Sequence, residues 1–274
     1  MSKFLPPYQP GTNIVADQPT LPIATARSAL IKVPEVTVYF WIIKLLTTAM
    51  GEATSDFLVN KIDPFIAVAL GGIGLVVALI LQFSVRRYVA GIYWFTAIMV
   101  AIFGTMAADV LHVGFHIPYA VSAAGFALTL AAVFSVWYMS EKTLSIHSIF
   151  TRRREVFYWA AIMATFALGT AVGDLTATTM GLGYFASGLL FTGLIALPAL
   201  AYWLSGLKEI VAFWLCYILT RPLGASFADW MGKEHSAGGL GWGDGSVSLG
   251  LTVFIIGFVC YLTITRKDVQ GEQR

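Results

Sequence analysis

The chain has 274 residues, of which 58% are hydrophobic and 12% charged, and its formal net charge is +2. Soluble domains carry about 25% charged residues, so a water-soluble globular fold is excluded. The small net charge selects no charged macromolecule, and no nucleic-acid partner is expected.

In chain order, residues 1–31 lack a continuous apolar stretch behind a basic start, so they are not read as a signal peptide. Prolines and scattered polar residues predict a flexible cytoplasmic tail there. A spanning helix needs about 20 mostly apolar residues. Eight such runs follow: Pro34–Leu58, Pro64–Phe83, Tyr88–His112, Pro118–Met139, Val156–Thr178, Gly183–Leu204, Ile210–Met231 and Val247–Thr265. Residues 268–274 form a short C-terminal tail. Cys216 and Cys260 both fall inside apolar runs, which predicts neither a disulfide nor a metal or redox motif.

One pattern recurs four times without a gap. Phe40-Trp41, Tyr93-Trp94, Tyr158-Trp159 and Phe213-Trp214 open each copy. Ten residues after each Trp stands Gly51, Gly104, Gly169 or Gly224. Four residues on comes Ser55, Ala108, Gly173 or Ala228, and the next residue is Asp56, Asp109, Asp174 or Asp229. A repeat at fixed register outranks other signals. The expected fold is therefore an all-α polytopic membrane protein with eight transmembrane helices, arranged as four parallel two-helix repeats over 32–84, 85–140, 153–205 and 207–267 within a membrane domain of 32–267. Each repeat reads as a hairpin of one motif helix and one plain helix. A pseudo-fourfold ring and a pseudo-twofold pair of pairs both satisfy the pattern.

Lysine and arginine cluster in the segments between repeats, at Arg86, Arg87, Lys142, Arg152, Arg153, Arg154 and Lys208, whereas the hairpin tips hold Lys61 and Lys233. The positive-inside rule then places both termini and the segments between repeats in the cytoplasm and the Asp ends of the motif helices outside. The loop Gly232–Ser246, rich in glycine and carrying Lys233, Glu234, His235 and Asp244, reads either as a lid or as a plain connection.

The charges inside the apolar runs are Lys44, Glu52, Asp56, Asp109, Asp174, Arg221 and Asp229, all on motif helices. An Asp at the bilayer centre costs roughly 2.5–3.5 kcal/mol on insertion scales, so such residues face the bundle interior or a wet cavity. The motif helices should line the centre and the plain helices the lipid. Gly51 and Ser55, with their counterparts, form a small-xxx-small seam for close helix packing. Each Asp lies about 140° around the helix from its Gly, at 100° per residue. The residue one turn before each Asp shares its face: Glu52, Thr105, Thr170 or Ala225. Asp56, Asp109, Asp174 and Asp229 thus form a candidate hard-oxygen site for Mn²⁺, Mg²⁺, Ca²⁺ or protons, with Glu52, Thr105 and Thr170 beside it. The competing reading has the four Asp capping helix ends. No resident cofactor is expected; Mn²⁺, Mg²⁺ or H⁺ would be cargo.

Lys44 and Arg221 break the repeat symmetry. Lys44 lies about 18 Å, and Arg221 about 12 Å, below the Asp level of its own helix, at 1.5 Å per residue. Each reads as an anion-binding group, as an internal counter-ion exchanging with a transported cation, or as half of a static salt bridge to Glu52 or an Asp. Pro222 is expected to kink the seventh helix and free carbonyls. The four Trp read as an interfacial aromatic belt, and His112 as a local partner of Asp109. Gly173-Asp174 is similar to the GxGD of intramembrane aspartyl proteases, but Ala171 stands where the first Gly is needed. No P-loop, GxSxG or HExxH is present, so neither an enzyme nor an ATP-driven pump is expected.

The run Lys32-Val-Pro-Glu-Val-Thr, then Phe40-Trp41-x-x-Lys44, then Thr48-x-x-Gly51-Glu52-x-x-x-Asp56 resembles the signature of a bacterial integral-membrane family known by a repeat of unknown function. The resemblance runs from about Lys32 to the C-terminus, and later repeats keep the aromatic pair, the Gly and the Asp. It implies four two-helix repeats and no established activity. The function expected from the residues is proton-coupled secondary transport of a small substrate, a divalent cation such as manganese first among them. Its partners are then the lipid bilayer and that ion or small molecule. The alternative is a membrane scaffold or sensor whose intramembrane Asp residues are structural.

Overall fold

The computed structural model describes residues 31–269. The tail expected over 1–31 therefore lies, apart from Ile31, outside the described residues. Among those residues the secondary structure is helical, with no strand. Eight long helices follow in order: α1 (Val38–Lys61), α2 (Pro64–Ser84), α3 (Ala90–Asp109), α4 (Tyr119–Glu141), α5 (Arg152–Asp174), α6 (Gly183–Ser205), α7 (Glu209–Gly232) and α8 (Asp244–Thr265). Seven of them are long and apolar enough to cross a membrane. The other is α1, whose middle is diluted by Lys44, Thr47, Thr48 and Glu52.

Local chemistry sets the helix ends. Thr37 accepts a hydrogen bond from the Phe40 N–H, so α1 starts four residues later than Pro34. Asp63 accepts from the Phe65 and Ile66 N–H groups, with Pro64 as the first residue of α2. Beyond Asp109 and Asp174, α3 and α5 loosen into single π turns, Val110–Gly114 and Leu175–Thr179. α7 is one continuous helix with Pro222 inside it; a Cβ on Gly169 would lie 3.0 Å from Pro222 Cδ, so the ring is packed against the neighbouring helix.

The motif helices α1, α3, α5 and α7 close into a ring, α1 on α3, α3 on α5, α5 on α7 and α7 on α1. Glycine makes this approach possible. A Cβ on Gly51 would come under 3.0 Å from Ala101, on Gly104 from Phe166, on Gly169 from Arg221, and on Gly224 from Thr48. Every one of these partners stands three residues before the Gly of its own repeat, so the four contacts are one contact repeated. A second ring lies nearer the helix starts. Phe40 meets Trp94 at 5.8 Å between ring centroids, Tyr93 meets Trp159 at 5.5 Å, Tyr158 meets Trp214 at 6.3 Å, and Phe213 meets Trp41 at 5.7 Å. Two rings in one register make the four helices parallel around a pseudo-fourfold axis.

The plain helices do not pair chiefly with their own motif helix. Each is handed to the next repeat: α2 packs on α3, α4 on α5, α6 on α7, and α8 back on α1. This exchange locks the ring and corrects the picture of four self-contained hairpins. The plain helices remain largely exposed on their outer sides, as expected of a lipid-facing wall.

One other expectation changes. The aromatic pairs are not a belt: Trp94, Trp159 and Trp214 are buried between helices, and the Tyr93 and Tyr158 hydroxyls are hydrogen-bonded at 2.5 Å. Ile31 and Asp268 are buried; the Tyr88 N–H donates to the Ile31 carbonyl, and the Glu35 N–H to that of Asp268. Burial raises the Asp268 pKa above the ordinary carboxylate value, and the hydrogen bond from Tyr88 Oη partly offsets this. Cys216 and Cys260 are both free thiols.

Candidate acidic site at one end of the helix ring

The four Asp end the parallel helices at one end of the axis. Asp229 is buried, while Asp56, Asp109 and Asp174 are half-buried. All four lie within electrostatic reach of Glu52; Asp109, Asp174 and Asp229 also interact with Asp56 and with one another in part. Glu52, Asp56 and Asp229 come closest, each able to place one carboxylate oxygen within 4.8 Å of the others. Tyr119 and Tyr184, from α4 and α6, stand within electrostatic reach of Asp174 and Asp229, Tyr119 also of Asp109 and Tyr184 also of Asp56.

One turn below, the symmetry breaks at a single point. Glu52, Thr105 and Thr170 occupy equivalent positions on α1, α3 and α5, and Ala225 takes that position on α7. The space left by the Ala methyl is taken by Arg221, one turn earlier on α7. Its Nη2 forms an ion pair with Glu52 Oε2 and hydrogen bonds with Thr105 Oγ1 at 2.5 Å and Thr170 Oγ1 at 2.6 Å. Residues of all four repeats thus meet on the axis through one guanidinium nitrogen. Thr105 and Thr170 also donate to the Ala101 and Phe166 carbonyls, so their rotamers are set by their own helices. Arg221 Nε and Nη1 have no hydrogen-bond partner among the described residues.

Lys44 lies nearer the aromatic ring and has neither a salt bridge nor a hydrogen bond from Nζ among the described residues. Its Nζ is buried 4.0 Å from the Phe166 ring centroid and 4.2 Å from that of Tyr217. Two aromatic faces substitute for a carboxylate. Arg221 shares Phe166, at 5.6 Å.

Two residues of the site were read from sequence only as part of the Gly232–Ser246 loop and not as site residues. Lys233, just past α7, sends its ammonium to Asp56 as an ion pair, and lies 3.9 Å from both Asp229 and Asp244. Burial works against the Lys233 charge, but Asp56, Asp229 and Asp244 outweigh it and hold its pKa above the ordinary lysine value. The four-residue spacing from Asp229 was the available signal. The second is Asp244, in the first turn of α8. The loop between them is built rather than loose: the Leu240 N–H donates to the Trp230 carbonyl at 2.7 Å, Gly241 to Lys233 at 2.8 Å and Trp242 to Met231 at 3.1 Å. Gly238, Gly241 and Gly243 adopt positive φ there.

The acidic end is therefore divided. On the α7–α1 side, Arg221 and Lys233 offset Glu52, Asp56, Asp229 and Asp244. On the α3–α5 side, Asp109 and Asp174 make no ion pair and no side-chain hydrogen bond among the described residues. His112 does not turn to Asp109: its Nδ1 lies 3.3 Å from both the Ile117 carbonyl and Ser122 Oγ, and its ring stacks on Tyr119.

A ring of charged motif helices inside an apolar wall defines a polytopic helical membrane protein with an acid-lined end. Four successive segments, residues 39–88, 92–143, 157–207 and 212–268, match the Repeat of Unknown Function (DUF347), and the chain belongs to that family. No curated protein and no solved structure matches the chain.

Proposed function

We propose that the chain is a carrier rather than an enzyme: a proton-coupled secondary transporter of a small cation, with a divalent ion such as manganese the leading cargo. In this reading all eight long helices, α1 included, span the bacterial inner membrane as four parallel repeats. The termini and the Arg-rich segments between repeats face the cytoplasm, and the acidic end faces outward. The observation that carries the proposal is the convergence of Glu52 and four Asp on one end of the axis, with Asp109 and Asp174 in no ion pair among the described residues. Such oxygens suit hard cations and protons. Glu52, Asp56 and Asp229 offer a three-oxygen cradle that Lys233 now neutralises, so an arriving cation would compete with a tethered ammonium.

A non-transport scaffold or sensor is the second reading. The Arg221 knot and the aromatic ring favour it, because both fill the axis beneath the acids. Purified protein in liposomes with an imposed pH gradient separates the two. Asp109→Asn and Asp174→Asn should stay folded and lose Mn²⁺ uptake. Parent protein that moves no Mn²⁺ under any gradient would leave the scaffold reading standing.

A further inference from the structure

A crevice of about 610 Å³ opens at the end of the ring opposite the acids, between the start of α1, the turn Ile146–Ser148, the end of α6 and the first half of α7. That volume lies within the range of small-molecule sites, about 300–1,000 Å³. Its walls are apolar and aromatic, with Trp41, Phe213 and Trp203 among them. Its polar lining includes the hydroxyls of Thr37, Ser145, Tyr202 and Thr220 and, as the strongest acceptors, Glu35, Glu209 and His147. Among the described residues neither glutamate has an ion-pair partner, and no Lys or Arg lines the crevice. His147 Nε2 is buried and has no hydrogen-bond partner among the described residues. A buried polar atom left unpaired in a folded protein calls for a missing partner.

We infer that this crevice binds an amphiphilic amine: a protonated primary or secondary ammonium group on an apolar, ring-sized body. The ammonium N–H groups answer the acceptors, its charge answers the Glu35 and Glu209 carboxylates, and aromatic faces attract cations. The apolar body replaces lipid or water against Trp41 and Phe213. An anionic amphiphile would meet Glu35 and Glu209 with like charge, and a neutral one would leave both unanswered. The backbone holds the site in place, since the Glu35 N–H donates to the Asp268 carbonyl at 2.8 Å and Glu209 lies in the first turn of α7. The site shares no residue with the acidic end, so it stands apart from the transport proposal.

The test is calorimetric titration of the full chain in detergent with 4-phenylbutylammonium, against 4-phenylbutanoate and 4-phenylbutanol. The amine should bind saturably and at least tenfold more tightly than either control. The pair Glu35→Gln with Glu209→Gln should weaken it tenfold or more, and Ala199→Trp, which fills the crevice, should abolish it. Unfolding midpoints close to the parent's would show that these variants remain folded. Asp109→Asn should leave amine binding unchanged, so failure of the transport reading would not touch this one. Equal affinity for the acid or the alcohol, saturable binding that survives Ala199→Trp, or no saturable binding would each overturn the inference.

Discussion

Arg221 donates through a single nitrogen to Glu52 and, across the axis, to Thr105 on the diagonally opposite helix. The pair is buried, with side-chain exposures of 1% and 5%, so neither charge is solvated once its partner is gone. Removing one partner of a buried pair costs about 3–5 kcal/mol, while replacing both by apolar groups is close to neutral. Arg221→Met should therefore lower the unfolding midpoint in detergent sharply. Arg221→Met combined with Glu52→Leu should recover most of the loss. If Arg221→Met unfolds with the parent, the guanidinium does not hold the ring together.

Gly224 and Gly169 test the helix approach. Alanine at Gly224 would drive its Cβ into Thr48, and at Gly169 into the Arg221 stem. Overpacking of this kind costs about 1–3 kcal/mol. Gly250→Ala and Gly257→Ala, on α8, meet nothing within 4 Å and should leave the midpoint unchanged. Thermal unfolding of the four variants side by side decides it, and equal midpoints would refute the shared seam.

Lys233 makes a pH prediction. Its folded pKa is raised above the unfolded lysine value of 10.5. The stability it contributes is therefore complete below that value and is lost as pH rises through the higher folded value. Hydrogen bonds to charged groups contribute about 1.5–3 kcal/mol. Lys233→Gln should unfold earlier than the parent by a constant margin through neutral and mildly alkaline pH, and the two should converge only above the ordinary lysine range. A gap that closes near neutrality would contradict the pairing with Asp56.

Lys44 is expected to be dispensable for folding. Methionine has a similar length and is apolar, and it would remove a buried ammonium that makes no hydrogen bond. Lys44→Met should match or exceed the parent's midpoint, at the cost of the two ring contacts, each about 0.5–2 kcal/mol. A large drop would mean that Phe166 and Tyr217 depend on the charge between them.

The divided acidic end separates Asp56 from Asp109. Asp56→Asn removes a charged partner of Lys233 and should lower the midpoint. Asp109→Asn breaks no ion pair and should leave it unchanged, whatever it does to transport. Equal losses of stability would show that the two sides are not distinct.

The sequence by itself determined the helical class, the repeat and the depth of each charge. These are properties of spacing along one helix: Trp to Gly to Asp in every copy, charges confined to motif helices, apolar length enough for a bilayer. Only the tertiary structure decided the ring order, the handing of each plain helix to the next repeat, the burial of Trp94 and Trp159, and the partners of Arg221 and Lys233. Contacts between helices depend on which faces meet across the axis. A fourfold ring and a twofold pair of pairs place the same residues at the same heights, so periodicity alone is blind to the choice. Arg221 shows the limit most clearly: its mid-helix position was legible, but its reach into the gap at Ala225 exists only once three other helices surround it.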